Sequence, residues 1–490
     1  MASETIMTQD IVIERPLGPS ENFYRCRNAA GFYQNFAAVG TYSIDLASKD
    51  RVMFCALRKS ILDYHILICN LFKNEADRNT ILRPIAKATF GDLYVKVNGP
   101  TGGRRWYEKF IHDLCCETLF DIYEESPLFR IVLAGECTLG ATFEHTAADG
   151  VVAPQFHAIF LDNLGFCGNR SNEKEYEESY GKIPDVIGSD TVIFDAAKDT
   201  QFIKHSLPPP VEMFMENHLD YTFGDDEHYS IATPKNYPKK WPGRFPAKLK
   251  ANKIMKLVHV GPEHFNPLLA ACREKRVTLT AYLATIQALT FNPIYGDKHH
   301  TSCMIAVTLR RFLTPDVVEE PYKEIVANEK YRILGNFAHM GLPTLFEPVK
   351  EFSWDLVKKV NGELFQTTKN PRLLNTSKGF TDAADLYDES GELFSAILGA
   401  NKADSVKMSN LGAYNFPVYE IEGENWTIDD LQFAQDMAPG ASEFVVNVVS
   451  CPRGGLNIVL SYFEGDTGDE EVLANIHRDF EENIKKYYAA

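Results

Sequence analysis

At 490 residues the chain is too long for one hydrophobic core, since single cores stop growing near roughly 250–300 residues, so two domains of similar size are expected. Its composition is that of an ordinary globular protein, 45% hydrophobic and 24% charged, and a formal charge of −17 argues against nucleic acid or an anionic membrane as the main partner. An anionic ligand would need a local basic patch. Ten cysteines are scattered, with Cys115-Cys116 the one close pair and no C-x-x-C among them. With no leading signal peptide in view, they read as reduced, buried thiols of a cytoplasmic protein. No run approaches ~18 uninterrupted apolar residues, so no transmembrane segment is expected.

In chain order, residues 1–22 are polar and read as irregular. Ser48 is a candidate cap for a helix through KDRVMFCALRKSILDYH, where Val52, Cys55, Ala56, Lys59 and Leu62 fall near one face. ILICNLF reads as a buried strand, and IHDLCCETLF as a helix packed by Ile111, Leu114 and Leu119. LFRIVLAG and LGATFEH read as two further strands separated by a turn around Glu136. Beyond His145, Val152, Phe156, Ile159 and Phe160 recur at helical spacing, and Pro154 is tolerable there only in a first turn. His145 therefore stands where a strand ends and a turn leads into a helix.

Three consecutive prolines in SLPPPVEMF (Ser206 to Phe214) enforce extended backbone and suit a crossover between domains. From Lys250 a second set begins: a strand (IMKLVHV), a helix after the candidate cap Thr278 (LTAYLATIQALTF), a strand into AVTLRRFL, and a last helix near EEVLANIHRDFEENIKKYY. His299-His300 read as a solvated pair in a polar loop. Alternating helices and strands in both halves predict a two-domain α/β protein. The expected division is an N-terminal domain over 1–205, a crossover over 206–249 and a C-terminal domain over 250–490.

Several common sites are absent from the sequence: there is no G-x-S-x-G elbow, no H-E-x-x-H, no Walker loop and no dinucleotide-binding G-x-G-x-x-G after a strand. What remains is H-x-x-x-D-G, His145 to Gly150, a pattern that chance alone gives on the order of one such chain in twenty. Its plain reading is a strand-end histidine, an N-cap aspartate and a turn glycine. Its chemical reading is a neutral imidazole that takes a proton from a hydroxyl or amine, aimed by a loop that Asp149 holds.

The chain resembles the fungal alcohol acetyltransferase family, within the superfamily of chloramphenicol acetyltransferase, plant BAHD acyltransferases and peptide-synthetase condensation domains. The resemblance is carried by the opening RPLGPSENFYRCRNAAGFYQNFAAVGTYS and by SPLFRIVLAG, then by LTAYLATIQAL, AVTLRRF, GNFAHM, SNLGAYNFP, LQFAQDM and NVVSCPRGGLNIVLSYFEG in the family's order. It implies two chloramphenicol-acetyltransferase-like domains, each a mixed sheet flanked by helices, with a channel between them.

It further implies an acyl-CoA-dependent O-acyltransferase with acetyl-CoA as co-substrate, an alcohol acceptor, no metal and a monomeric chain. His145 matches the general base. Asp149 matches the residue that turns away from substrate to pair with an arginine, here Arg310, with Arg311 as second choice. Gly150 completes the turn. Ser409 and Asn410 of SNLG match channel residues that could donate to an oxyanion, against a plain strand-end turn. Gly335-Asn336 is expected to serve close backbone packing. Glu144 stands where some relatives carry a second histidine, and the plant-type D-F-G-W-G element is absent, which leaves coenzyme contacts unassigned. Residues 231–262 hold eight Lys/Arg and no acid; Lys239, Lys240 and Arg244 are candidates for the coenzyme phosphates, against a solvated loop. An amine acceptor, or a degenerate binding protein on the same fold, are the alternatives.

Overall fold

The computed structural model describes residues 7–8, 11–74, 79–215, 237–243, 246–328, 333–369, 378–384, 387–388, 390–402, 404–465 and 470–489. In chain order, the elements that build the site are helix α1 (Pro19–Ala29), strand β1 (Asn35–Tyr42), helix α2 (Asp50–Asp63), strand β2 (Tyr94–Val97) and helix α3 (Arg104–His112). Strands β3 (Phe129–Ala134) and β4 (Thr138–Glu144) and helix α4 (Val152–Gly168) complete the first set. The second comprises strand β5 (Lys253–Val260), helix α5 (Leu279–Tyr295) and strands β6 (His299–Thr308), β7 (Ala338–Phe346) and β8 (Asp404–Ala413). Strands β9 (Ile428–Gln435), β10 (Ser442–Cys451) and β11 (Gly455–Phe463) and helix α6 (Glu470–Tyr487) follow.

Near-continuous apolar strands such as β4, in which all seven residues are buried, belong to sheets covered on both faces. The first sheet has the order β9-β1-β4-β3-β2, antiparallel except for the parallel β2–β3 pair. Phe54, Leu57 and Ile61 of α2 and Phe156 and Phe160 of α4 pack in its core. The second sheet runs β6-β8-β10-β11-β5, with β7 beside β6, a parallel centre and antiparallel flanks. Tyr282, Ile286 and Phe291 of α5 and Ile476 and Phe480 of α6 cover it. Two mixed sheets flanked by helices are thus what the alternating pattern requires.

The two lobes do not coincide with the two halves of the chain. β9, from the C-terminal half, is the edge strand of the first sheet, with Leu431 opposite Gly40 and Phe433 opposite Ala38. α3 forms a wedge between the lobes: Phe110 and Ile111 pack in one cluster with Ala37 and Val39 of β1 and Met255 and Leu257 of β5.

Several local expectations change. The first long helix starts at Asp50 with Lys49 at its cap position; Ser48 Oγ instead donates to Asp45 O at 3.2 Å. His65–Ile68 is a 3-10 turn, so the strand of ILICNLF begins at Cys69. The helix through Ile111 loosens into a π turn at Asp113–Glu117, which leaves Leu119 66% exposed. His299 and His300 open β6 and do not lie in a loop; His300 is buried, with Nδ1 2.7 Å from Pro238 O. Thr278 caps α5 by accepting from Ala281 N at 3.2 Å. The triple-proline segment is extended and buried, with Pro208 O accepting from Arg15 Nε at 2.7 Å.

Candidate active site

β4 ends at Glu144, and the chain turns through residues 145–150 into α4. Asp149 fixes the turn locally: its Oδ1 accepts from Val151 N at 3.0 Å and its carbonyl from Val152 N at 2.9 Å. Gly150 lies against the second half of the chain, where an added Cβ would stand 2.9 Å from Phe433 Cζ. A side chain at this position would push β9 away.

Asp149 is fully buried, and an ionised carboxylate without partners there would be prohibitive. Its Oδ2 accepts from Arg310 Nη1 at 2.7 Å and from Phe337 N at 2.8 Å. Arg310, just beyond the end of β6, also donates through Nη2 to Ile333 O at 2.8 Å and Gly335 O at 2.6 Å. Arg311 turns elsewhere, to Thr368 O at 3.1 Å. Gly335 is required by packing, because an added Cβ would lie 2.4 Å from the Phe337 ring. Asn336 does more than pack: its Nδ2 donates to both His145 O and Thr146 O at 3.0 Å. The backbone that presents the histidine is therefore held from the other lobe.

The imidazole itself is enclosed by aromatic rings. Tyr24 stacks on it at 4.5 Å with a 10° interplanar angle, while Tyr33 and Phe36 meet it edge-on at 5.4 and 5.2 Å. Sequence reasoning gave these three no role, although five aromatics between residues 23 and 36 were a compositional cue. Burial pushes the His145 pKa well below the ordinary imidazole value, and the nearby Arg27 and Lys407 add to this. The ring is thus neutral at physiological pH. Nδ1 is buried without a hydrogen-bond partner.

Glu144 ties the turn: its carboxylate accepts from Thr146 N at 2.7 Å, Thr146 Oγ1 at 3.0 Å and Asn28 Nδ2.

On β8, Val406 and Met408 face the second core, so Lys407 and Ser409 point to the opposite side. Ser409 is buried there. Asn410 is engaged instead in local structure, donating to Thr280 Oγ1 and accepting from Gly412 N, both at 3.0 Å. That leaves Ser409 as the candidate donor on this strand. Lys239 and Lys240 form a short exposed strand beside His299 and His300, with Lys240 Nζ 3.9 Å from Asp404 Oδ1. Five residues of extended strand separate Asp404 from Ser409, about 16 Å. These lysines thus stand at the Asp404 end of β8, away from Ser409, and Arg244 lies outside the described residues. Among the described residues no cluster of three His, Cys, Asp or Glu side chains is placed to hold a metal, and no helix is long and apolar enough to cross a membrane. A groove of about 510 Å³ lined by Arg51, Cys55, Cys167, Glu173 and Trp426 involves none of the residues around His145.

Solved structures with the same fold span almost the whole chain. Trichothecene 15-O-acetyltransferase TRI3 from Fusarium sporotrichioides superposes with a TM-score of 0.63 at 11% identity, covering 96% of this chain and 95% of its own. The first condensation domain of the calcium-dependent antibiotic synthetase gives 0.57 at 12% identity, covering 97% and 96%. The epimerization domain of the third module of tyrocidine synthetase B gives 0.55 at 12%, covering 97% and 98%. No curated protein matches in sequence. The sequence profile described as alcohol acetyltransferase matches residues 105–484. Because that match runs from the wedge helix of the first lobe to the last helix of the second, the chain belongs to the alcohol acetyltransferase family and is an acyltransferase.

Proposed function

We propose that the protein transfers acetyl from acetyl-CoA directly to the hydroxyl of a small or hydrophobic alcohol, with His145 as general base. The observation that carries this reading is the state of the imidazole: neutral, walled by Tyr24, Tyr33 and Phe36, and fixed by a turn that Arg310, through Asp149, and Asn336 hold from the other lobe. With Nδ1 turned into the protein, Nε2 is the nitrogen left to accept a proton. The acceptor hydroxyl gives its proton to Nε2 as its oxygen attacks the thioester carbonyl. A tetrahedral oxyanion forms, for which Ser409 Oγ is the donor candidate. Its collapse breaks the C–S bond, and the departing thiolate takes the proton back from Nε2, leaving ester and free CoA. No acyl-enzyme is formed, and no metal enters the sequence of steps.

The experiment is release of free thiol from acetyl-CoA by purified protein offered a panel of alcohols and amines. Alcohol-dependent release that His145→Ala abolishes is the expected result. Release with amines alone would move the acceptor to nitrogen, and none with any acceptor would leave a binding protein on an acyltransferase fold.

A further inference from the structure

The peptide unit that joins His145 to Thr146 is gripped at both of its polar ends, from different lobes. Its N–H, that of Thr146, donates to the Glu144 carboxylate at 2.7 Å; its C=O, that of His145, accepts from Asn336 Nδ2 at 3.0 Å. Glu144 is tied in turn to Asn28 of α1, whereas Asn336 stands just ahead of β7 in the second lobe. The same Nδ2 also serves Thr146 O at 3.0 Å. Successive carbonyls of a strand point to opposite sides, so two that converge on one nitrogen belong to backbone that has left its ladder. The ladder of β4 with β1 does end one residue earlier, where Glu144 lies opposite Asn35. Asn336, itself buried, supplies the donor that these two carbonyls need away from water.

Because a peptide unit is planar, holding both its ends fixes the backbone torsion that follows the His145 Cα, and with it the direction in which the side chain leaves the chain. The Asp149–Arg310 pair acts four residues further on, past the soft torsions of every residue between, so it anchors the turn without setting the aim of the ring. The segment that carries Asn336 is braced on its own side. Arg310 Nη2 donates to Ile333 O at 2.8 Å and Gly335 O at 2.6 Å, Phe337 N to Asp149 Oδ2 at 2.8 Å, and Leu309 N to Phe337 O at 2.8 Å. Asn336 therefore reaches the histidine from a fixed platform.

We infer that Asn336 is a positioning residue for acyl transfer: from the second lobe it sets the aim of the His145 imidazole, which Asp149 and Arg310 anchor but do not aim. The inference rests on the transfer reading above for its kinetic consequence and on backbone geometry for the rest. A misplacement of about 1 Å at a reacting group costs on the order of 100-fold in rate, and it acts on the chemical step, not on the binding of either substrate.

Thiol release from acetyl-CoA, with the alcohol of the panel that releases it fastest, tests this in Asn336→Ala and in Asn336→Asp, which keeps the shape but sets an acceptor against two acceptors. Both should lower kcat by roughly 10–100-fold and change the KM of either substrate by less than about threefold. In a His145→Ala background neither should lower the residual rate further, whereas a merely structural role would add its own loss there. NMR of the His145 ring reads position without turnover: one sharp set of signals in the parent should broaden or divide in Asn336→Ala. Asn336→Ser, with a shorter donor, should fall between the two and serves where the alanine variant does not fold. Failure of all three variants to fold would make the residue structural and overturn the inference. Unchanged kcat, a loss confined to KM, or full additivity with His145→Ala also overturns it and leaves acetyl transfer intact. No thiol release by the parent protein with any acceptor ends the transfer reading instead; the ring signals then decide the positioning alone, upheld if they divide and overturned if they do not.

Discussion

Asp149 Oδ2 lies 2.7 Å from Arg310 Nη1, so the turn that carries His145 in one lobe is fastened to the end of a strand in the other. Removing one partner of such a pair strands the second charge, a loss of about 3–5 kcal/mol where nothing replaces it. Asp149→Asn keeps an acceptor and should fall at the low end of that range. It should lower the thermal midpoint and acetyl transfer together, measured by calorimetry and thiol release. An unchanged midpoint would show the pair to be energetically idle.

His145→Ala should lower turnover by at least ~100-fold, the low end for losing a positioned base, with little change in acetyl-CoA affinity. Steady-state kinetics alongside equilibrium binding of the donor separate the two effects. Near-normal turnover would end the mechanism.

The pH dependence follows from three buried imidazoles. His145 is held well below 6.5, His157 at about 4 and His65 at about 3, burial being the main cause in each. The unfolded chain therefore binds protons that the folded chain refuses, and stability rises with pH. The contribution is whole above about 6.5 and is lost progressively as pH falls from there towards the lowered values, by up to about 1.4 kcal/mol per pH unit for each histidine. Thermal midpoints should drop steadily from pH 7 to 5, while kcat/KM at pH 6 should stay close to its neutral value because the base is still unprotonated. A rate that halves near 6.5 would place an ordinary imidazole at the site.

If the edge strand of Lys239 and Lys240 gathers coenzyme phosphates, replacing both with Gln should raise the KM for acetyl-CoA several-fold, as expected for losing two phosphate contacts. The KM for acetylpantetheine, which lacks the nucleotide, should not change. An equal effect on both donors returns these lysines to an ordinary exposed edge.

Initial rates varying acetyl-CoA at several alcohol concentrations should give intersecting lines, because no cysteine is placed as a nucleophile. All ten are free thiols, and burial raises Cys55, Cys272 and Cys451 to about 11 and Cys115 and Cys116 higher still. Parallel lines with acetylated protein in the mass spectrum would require a covalent intermediate.

The strand, turn and helix around His145 were legible in the sequence because each has a local signature: an apolar run, a glycine, and helical spacing after a tolerated Pro154. Thr278 was legible as a cap for the same reason. Asn336 was not, since its amide meets carbonyls of residues 145 and 146, and nothing local distinguishes that from packing. Nor were Tyr24, Tyr33 and Arg27, whose roles depend on α1 lying against a turn more than 100 residues away. Asn410 follows the residue expected beside it in SNLG, but strand alternation turns it to Thr280, away from Ser409. The allegiance of β9 was hidden because its alternation would suit either sheet.

That strand also sets a schedule. Until Gln435 has been synthesised, the outer edge of β1 has no neighbour. Roughly 390 residues separate the two strands, so at about 5–20 residues per second the growing polypeptide carries an open sheet edge for some ~20–80 s. An unpaired edge is a template for any passing strand, including one from another copy on the same messenger. The yield of active protein thus depends on the pace of translation and on what shelters that edge at the ribosome, and slower growth temperatures or added chaperone capacity act on this interval before any of the chemistry exists.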